Sequence, residues 1–397
     1  MRRWRVPLIL SAIVVVAQLV PTSPLVEVVT GAPPADVRLV WPVVHIVFAP
    51  FTLLADWLNG GSTADLIGFA VWALVMYVGY RGTGAPGHRG AVREVVYAGC
   101  FLAAMGLFLA WGTLAPRPIP RLVASDSALV IFDTHSHTSL SHDGRKGFDA
   151  AANAAWHARA GFDAAFITDH NVFAPGREPR MLNGEELSLN GLHMVMLGND
   201  SLVKNKPWDG NFDSSLALLR ALARPPSAFS FQPFLIASLP EYWRNHWGPD
   251  VGRVVAAGAD GLEIWTTSPK AMDFPAGQRR EVIARARSLG LAMFGATDMH
   301  GLGYAATVWN VIALPGWRAL DDAALTRALL EAFRAEPGSV RVIVLRRRIA
   351  PTRPAQIIGM PLGAVTVLRG ASGWHGAALL GWIWLIALVR RRLTADS

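Results

Sequence analysis

The sequence contains a single cysteine, Cys100, among its 397 residues. This excludes a disulfide framework and any zinc site built from several cysteine thiolates. Charge is also scarce, because Asp, Glu, Lys and Arg together make up 17% of the chain, whereas soluble globular domains contain about 25%. Hydrophobic residues make up 52%. This composition argues against a purely soluble or disordered protein and favours a membrane protein.

Acidic residues are fewer than basic ones, and the formal net charge is +8. A basic balance of this kind suits nucleic acid, anionic lipid headgroups or acidic substrates. Part of the basic excess lies beside apolar segments, and the sequence contains no stripe of alternating aromatic and basic residues of the kind that binds single strands. Nucleic acid is therefore the least favoured partner, and the lipid bilayer is the expected one.

Apolar stretches occupy both ends of the chain. They lie at residues 6–20, 37–58, 65–80, 94–115 and 373–389. The stretch at 94–115 is long enough to cross about 30 Å of hydrocarbon. The tryptophans of the last stretch suit the interface between membrane and water. These patterns predict transmembrane helices before and after the central part of the chain.

The domain organisation follows from these stretches. We expect an N-terminal membrane region over residues 1–121 with three or four apolar helices, and a central domain over residues 122–350. Residues 351–397 should form a linker, one C-terminal transmembrane helix and a basic tail. The Pro-rich segment 116–121 is expected to link the membrane region to the central domain.

Basic residues indicate the orientation in the membrane. Clusters of arginine lie near residues 2–5, 81–93 and 390–392, beside the ends of apolar stretches. If all three face the cytoplasm, the central domain lies on the other side, provided that the stretch 37–58 does not span. The expectation is an integral protein of a bacterial inner membrane with an extracytoplasmic central domain.

The central region alternates short apolar runs with helical patterns. The predicted strands are residues 129–133, 164–168, 192–197, 234–238, 261–266, 291–296 and 308–314. The predicted helices are residues 147–160, 213–223, 276–289 and 320–335. Alternation of this kind indicates βαβ units and a mostly parallel α/β sheet or barrel.

Residue types that bind metals lie at the ends of these predicted strands. His135 and His137 alternate along an extended segment, so both can face one cavity. Asp298 and His300 repeat this spacing on a later strand. Carboxyl ends of parallel barrel strands meet at one mouth, and imidazole with carboxylate suits zinc, manganese or iron. About eight candidate ligands exceed what one four-coordinate metal needs, so two divalent metal ions are expected.

Together these fragments closely resemble the PHP superfamily, which is named for polymerase and histidinol phosphatase. The matching segments are residues 133–138, 141–144, 167–171, 184–186, the segment at His193 and residues 298–301. The resemblance covers about residues 130–315. It implies a distorted (β/α)7 barrel of the α/β class and metal-dependent hydrolysis of phosphate esters. The membrane segments lie outside it.

The resemblance also implies a set of metal ligands. One metal would be bound by His135, His137, Glu186 and Asp298, and a second by Asp143, His170 and His300. A third site would share Glu186 with His193 and a further histidine. Leu239 stands at the position of that histidine, and leucine cannot bind a metal, so the third site is expected to be weakened or absent. His246, in the following loop, could compensate.

The expected reaction is in-line attack of a metal-bound hydroxide on phosphorus. Asp143, Asp169 and His193 are the candidate catalytic residues, and Asp169 is expected to orient a metal ligand rather than to bind metal itself. The substrate would be phosphorylated, and the membrane setting suggests a lipid-linked or envelope-derived molecule. Candidate phosphate contacts are Arg145, Lys146, Arg177, Lys204 and Lys206.

Two other functions stay open. A metal amidohydrolase or related hydrolase also uses a His-x-His pair and a late aspartate, although such barrels usually need a carboxylated lysine or further histidines. A non-catalytic metal-binding sensory or scaffold domain is the other alternative, and Leu239 is its best support.

Overall fold

The computed structural model describes residues 4–82, 90–176, 178–189, 192–204, 211–223, 232–238, 249–303 and 305–395. The chain divides into two compact units. The first comprises Met1–Pro24, Trp41–Ile119 and Arg346–Ser397, and the second comprises Leu25–Val40 and Pro120–Leu345. Residues 25–40 therefore belong to the second unit, although they lie inside the sequence region 1–121 expected to form the membrane region.

The helices follow one another along the chain as α1 (Arg5–Leu19), α2 (Val43–Val47), α3 (Ala49–Asn59), α4 (Thr63–Gly82), α5 (Ala91–Leu114), α6 (Ala150–Ala160), α7 (Phe212–Leu222), α8 (Pro249–Ala256), α9 (Pro269–Met272), α10 (Ala276–Ser288), α11 (Asp322–Ala335), α12 (Arg353–Ile358), α13 (Met360–Gly370) and α14 (Gly373–Ala395). The strands are β1 (Leu25–Glu27), β2 (Val37–Val40), β3 (Arg121–Ala124), β4 (Leu129–Ser136), β5 (Ala164–Ile167), β6 (Met181–Leu189), β7 (Leu192–Leu197), β8 (Phe234–Ser238), β9 (Gly261–Thr266), β10 (Ala292–Ala296), β11 (Val308–Ala313) and β12 (Arg341–Leu345).

The first unit is helical, and three of its helices are long and apolar enough to cross a membrane. They are α4, α5 and the segment Gly373–Arg392 of α14. Helix α1 is apolar but only 15 residues long. The apolar stretch 37–58, in contrast, forms β2 and the short helices α2 and α3. These helices indicate that the protein associates with a membrane.

The second unit is built on one mixed sheet of ten strands, in the order β1-β12-β11-β4-β5-β6-β7-β8-β9-β10. The sheet curls back on itself, as a parallel bridge between Ser136 and Met299 shows. This bridge joins the segment after β10 to the end of β4. Strands β2 and β3 form a separate antiparallel pair. The unit is therefore an α/β fold around a curled, half-barrel sheet.

The expectation of a mostly parallel sheet was wrong. Four neighbouring pairs are parallel, namely β4 with β5, β5 with β6, β8 with β9 and β9 with β10. The other five pairs of the ten-stranded sheet are antiparallel. A parallel pair needs a crossover connection of a dozen or more residues, and β6 ends at Leu189 only three positions before β7 begins. The sequence pattern showed apolar runs but not the direction of each strand.

Helix ends in the second unit follow local sequence signals. Asp149 precedes α6, and its side chain accepts a hydrogen bond from the backbone of Ala152 at 2.9 Å. Gly161 ends the same helix with φ +93°, a conformation that favours glycine. Asp321 begins α11 in the same way as Asp149 begins α6. These caps satisfy backbone groups that a helix end otherwise leaves unpaired.

An aromatic core lies inside the curled sheet. Phe132 of β4 stacks on Phe333 of α11 with ring centroids 5.2 Å apart, and both rings also contact Phe294 of β10. All three side chains are fully buried. Burial of this apolar surface stabilises the unit and fixes the strands whose ends contain the polar residues described next.

Candidate metal centre

The eight predicted metal ligands lie on strands of the second unit or in the segments that follow them. Their positions are His135 and His137 at the end of β4, Asp143 in the following loop, His170 after β5, Glu186 on β6, His193 on β7, and Asp298 and His300 after β10. Because these strands neighbour one another in the curled sheet, the structure brings all eight side chains into one cluster.

Glu186 is at the centre of the cluster. Its Oε2 atom lies 3.1 Å from His135 Nε2, 3.3 Å from His137 Nε2 and 2.8 Å from His170 Nδ1. Its Oε1 atom lies 2.6 Å from His193 Nδ1. The carboxylate is 1% exposed, so four imidazoles surround a buried acidic group. A carboxylate in this position can bridge cations on either side of it.

Asp298 closes the cluster opposite Glu186. Its Oδ1 atom lies 3.2 Å from His137 Nε2 and 3.7 Å from His135 Nε2. Its backbone has φ +50°, in the left-handed region that non-glycine residues rarely adopt. Such strain persists where the surrounding structure fixes it, and it concentrates at functional sites.

Asp143 forms the open rim of the cluster. Its Oδ1 atom lies 3.2 Å from His300 Nε2 and 3.5 Å from His170 Nε2. Its side chain is 46% exposed, whereas those of His300 and His170 are 16% and 6% exposed. His142 beside it is exposed. Solvent can therefore reach the cluster on the Asp143 side.

The hydrogen bonds of three histidines leave one ring nitrogen of each directed into the cluster. The Nδ1 contacts are His135 with Glu263 Oε1 at 2.7 Å, His137 with Ser141 Oγ at 2.9 Å, and His300 with the carbonyl oxygen of Asp298 at 2.8 Å. The Nε2 atoms of the same three rings are buried and make no hydrogen bond within the described ranges. An acceptor at Nδ1 fixes the tautomer whose lone pair is on Nε2. This pattern fits a divalent metal ion.

Groups of donor atoms close enough to hold a metal ion occur within this cluster. One group is His137 with His170 and His300, and another is His135 with His137 and Glu186. Two more are His142 with Asp143 and His170, and His170 with Glu186 and His193. In each group the donor atoms lie within 4.8 Å of one another. Imidazole and carboxylate donors suit zinc, manganese and iron. The histidine and glutamate clusters could therefore hold metal ions.

The charges of the cluster shift the pKa values of its members. Burial disfavours the charged form of His135, but the carboxylates of Glu186 and Glu263 raise the pKa of His135 well above its ordinary value. Burial, together with the neighbouring His300, lowers the pKa of His137 to about 3. Burial opposes the charge of Glu186, yet the surrounding histidines hold the pKa of Glu186 well below its usual range. Glu186 therefore stays ionised and His137 neutral, which are the states that bind a cation, whereas a cation at Nε2 of His135 would displace a proton.

Asp169 does not contact the metal-binding atoms. Its carboxylate accepts hydrogen bonds from the backbone of Thr138 at 2.6 Å, from the hydroxyl of Thr138 at 2.7 Å and from Ser141 Oγ at 3.0 Å. Ser141 in turn contacts His137, and its Oγ atom accepts a hydrogen bond from the backbone of His170 at 3.0 Å. Asp169 therefore acts on two histidines through Ser141, whereas the sequence suggested only a general orienting role.

The two adjacent glutamates of β6 point in opposite directions. Glu186 faces the histidines, whereas Glu185 accepts a hydrogen bond from the backbone of Val203 at 3.0 Å. Gly184 precedes them where β6 passes close to its neighbours, and a Cβ there would lie 2.7 Å from Cγ2 of Thr168. The glycine thus permits the approach that places Glu186 in the cluster.

Two buried acidic groups outside the predicted ligand set support the cluster. Glu263 of β9 is fully buried and binds His135, and it also accepts a hydrogen bond from Thr266 at 3.0 Å and one from Ser238. The only hint in the sequence is an acidic residue inside an apolar strand. The other group is Asp133, which lies 3.0 Å from His157 Nε2 and accepts hydrogen bonds from Thr297. Both groups link strand ends that are far apart in the sequence.

The predicted phosphate contacts lie in different settings. Arg145 is half-buried beside the cluster, and its Nη1 atom lies 3.4 Å from the carbonyl oxygen of Gly301. Lys146 and Lys204 are exposed. The other two candidates, Arg177 and Lys206, lie outside the described residues. Leu239 and His246 of the expected third site also lie outside them.

Comparisons with known proteins give little further information. No protein-family model matches the chain, and no curated protein matches it. A solved structure that does match is that of PsfC from Pseudomonas syringae PB-5123, with 17% sequence identity over 59% of this chain and 97% of that chain. Its TM-score is 0.36, which is too low for the likeness to bear on fold or function.

Proposed function

We propose that the protein is a membrane-anchored, metal-dependent phosphoesterase whose second unit is a distorted (β/α)7 domain of the PHP type. The observation that supports this best is a set of three histidines whose Nδ1 atoms are hydrogen-bonded and whose buried Nε2 atoms face carboxylates of the cluster. The Nε2 atoms of His135 and His137 face Glu186 and Asp298, and that of His300 faces Asp143. Ligating histidines in metal sites have this arrangement, because the second nitrogen holds the ring in place.

Two groups of side chains would hold two divalent cations. His135, His137, Glu186 and Asp298 would form the deep site, and Asp143, His170 and His300 the site at the rim. Divalent cations bound there supply Lewis acidity, which polarises a phosphate ester and lowers the pKa of water. His193 contacts Glu186 and is partly exposed, so it would contact substrate or hold a further cation.

The protein's own groups hold these donors in position. Glu263 orients His135, and Asp169 orients His137 through Ser141. Asp143 lies where the cluster meets solvent, so a phosphate ester would arrive beside it. Arg145 lies near Asp143 and is the described cation best placed to contact a phosphate oxygen.

The three apolar helices suggest where the substrate is found. A catalytic unit attached to a membrane would act on phosphorylated molecules linked to lipid or to the cell envelope. The arginine clusters favour an extracytoplasmic position for this unit, in a bacterial inner membrane.

The test combines metal analysis of the purified full-length protein with a panel of phosphomonoesters, phosphodiesters and amides. We expect bound zinc, manganese or iron and turnover of phosphate esters. His170→Ala and Asp298→Ala should each lose metal and activity, whereas Glu331→Gln, on the exposed face of α11, should keep both.

The other outcomes separate the alternatives. Turnover retained in both ligand variants would refute the proposed centre. Amide hydrolysis without phosphate ester hydrolysis would indicate an amidohydrolase-like enzyme. Full metal loading without turnover of any substrate class would indicate a sensory or scaffold domain.

A further inference from the structure

The first unit contains a row of hydrogen-bonded polar side chains that is separate from the proposed metal centre. In the order of their contacts, its members are Ser372, His375, His45, Asp56 and Arg117. They come from the start of α14, from α2, from α3 and from the segment after α5. Ser372 is partly exposed, and the other four are buried. Burying ionisable groups in an apolar unit is unfavourable unless they are paired, so this row calls for a physical explanation.

The contacts of the row are short and continuous. Ser372 Oγ lies 2.7 Å from His375 Nδ1. The Nε2 atom of His375 lies 3.0 Å from Nδ1 of His45, and Nε2 of His45 lies 2.8 Å from Oδ2 of Asp56. Arg117 donates to the other oxygen of Asp56. Both ring nitrogens of each histidine are therefore in contact with a group that can donate or accept a proton.

We propose that this row is a proton-binding site, which takes up one proton through Ser372 and holds it on His45. Without that proton, every group has a donor or acceptor role that fits the geometry. The hydroxyl of Ser372 donates to His375, Nε2–H of His375 donates to His45, and Nε2–H of His45 donates to the carboxylate of Asp56. The chain of donors runs in one direction, and both histidines are neutral.

One added proton gives a second complete pattern in the same geometry. Ser372 receives a proton from solvent and passes its own hydroxyl proton to Nδ1 of His375. His375 then passes the proton on its Nε2 to Nδ1 of His45. His45 then has protons on both nitrogens and donates to Asp56 and to His375, and His375 donates to the oxygen of Ser372. One proton enters, the charge rises by one, and only O–H and N–H bonds form and break.

Electrostatics place the added charge on His45. The carboxylate of Asp56 lies 2.8 Å from His45 and stabilises an imidazolium there. His375 lies in the first turn of α14, where the positive end of the helix dipole disfavours a cation. Arg117 donates to the far oxygen Oδ1 of Asp56, so Oδ2 is available to His45 in both patterns.

The other groups around the two histidines are uncharged. The indole of Trp41 packs edge-on against His375 with ring centroids 5.3 Å apart. Thr52 donates a hydrogen bond to the carbonyl oxygen of His45 at 2.7 Å. From α1, Gln18 lies against Gly376, next to His375. Among the described residues of this unit, Asp56 is thus the charged group shown in contact with the pair, and Arg117 contacts Asp56.

The test is nitrogen NMR of the full-length protein in lipid nanodiscs, with 15N in the histidine rings. The signals of His45 and His375 are assigned by their absence in His45→Gln and His375→Gln. At high pH both rings should be neutral and protonated on Nε2. As the pH falls from about 9 to about 4, which brackets the ordinary pKa of histidine, both rings should change together in one transition with the slope of a single proton. Independent titration of the two rings, protonation of either ring on Nδ1 at high pH, or no change over this range would overturn the proposal.

Two substitutions test the ends of the row. Asp56→Asn should lower the apparent pKa of the transition by at least about one unit, a tenfold loss of proton affinity, because the carboxylate no longer stabilises the imidazolium. Ser372→Ala should slow proton exchange at His375 and lower the apparent pKa, since the acceptor for Nδ1–H is lost. Thr366→Ala, which removes an exposed hydroxyl of α13, is the matched control and should change neither. An unchanged transition in Ser372→Ala would refute uptake through Ser372.

The measurement does not depend on metal binding, so its outcome is independent of the proposed phosphoesterase activity.

Discussion

Glu263 Oε1 lies 2.7 Å from His135 Nδ1 across the curled sheet, and both side chains are buried. The two residues are 128 positions apart in the sequence and belong to β9 and β4. The carboxylate holds the ring so that Nε2 faces Glu186 and Asp298. The strand that contains Glu263 contributes none of the predicted metal ligands, yet it fixes the orientation of one of them.

Replacing Glu263 should therefore weaken metal binding. Glu263→Ala removes the partner of His135 Nδ1 and should lower metal affinity by about 10- to 100-fold, the usual effect of losing such a partner. Glu263→Gln, which keeps an acceptor but loses the charge, should have a smaller effect. Isothermal titration of the metal-free protein measures this, with Glu331→Gln on the exposed face of α11 as control. Unchanged affinity in Glu263→Ala would show that His135 is not a ligand held by Glu263.

Ser141 should matter for stability as well as for the metal centre. Its hydroxyl contacts His137 and Asp169 and accepts from the backbone of His170, all in a buried setting. Ser141→Ala leaves buried polar groups without a partner, and each such group costs about 1–3 kcal/mol. We expect the free energy of unfolding to fall by about 2–3 kcal/mol and metal affinity to fall with it. Chemical denaturation measures the first effect, and Ser288→Ala on the exposed end of α10 should change neither.

Metal removal should destabilise the second unit. A ligand that binds only the native state stabilises it by about 2.7 kcal/mol at a concentration of 100 times its Kd. A chelator should therefore lower the midpoint of thermal unfolding, and adding zinc or manganese should restore it. In Asp298→Ala, which lacks one of the predicted ligands, the chelator should change the midpoint of thermal unfolding very little. An equal response in wild type and Asp298→Ala would place the bound metal elsewhere.

Much of the candidate site could be predicted from the sequence because it depends on local spacing. His135 and His137 alternate along one extended segment, and the residues that follow β5 and β10 are close to them once those strands are neighbours. Adjacent residues of a strand face opposite sides, so only one of Glu185 and Glu186 could face the site, and the resemblance to the PHP superfamily indicated Glu186. The structure brings these side chains together.

The rest could not be predicted because it depends on strand order and on long-range contacts. Nothing near Glu263 in the sequence shows that it faces His135, and the strand β1, at residues 25–27, pairs with β12 although apolar segments surround it. The antiparallel pair β6–β7 was missed because β6, whose sequence contains several polar residues, was not predicted as a strand. The row from Ser372 to Arg117 joins segments that lie at opposite ends of the chain, so no local pattern indicates it.

The ion pair of Asp36 with Arg341 gives a prediction about pH. The carboxylate oxygens lie 2.9 and 2.6 Å from the two terminal guanidinium nitrogens, and this hydrogen-bonded contact lowers the pKa of Asp36 below its ordinary value of 3.8. Because the native pKa is the lower one, the stabilisation is complete above pH 3.8 and is lost as the pH falls through the native pKa. Both side chains are partly exposed, so the pair should contribute only about 0.5–1 kcal/mol. Urea denaturation of wild type and Asp36→Asn should show this difference at neutral pH and a smaller one in acid. A difference that does not depend on pH would contradict an ionic origin.

Cys100 tests the membrane assignment of α5. It is exposed on a 24-residue apolar helix, about 14 Å from the helix start at Ala91. If α5 crosses the bilayer, Cys100 lies in hydrocarbon, which a charged reagent does not enter. A charged, membrane-impermeant maleimide should therefore fail to label Cys100 in sealed vesicles and in opened ones, but should label it after denaturation in detergent. Ala91→Cys in a Cys100→Ser background places the thiol at the helix end and should be labelled without denaturation when its side of the membrane is accessible. Rapid labelling of Cys100 in native vesicles would show that α5 does not span the membrane.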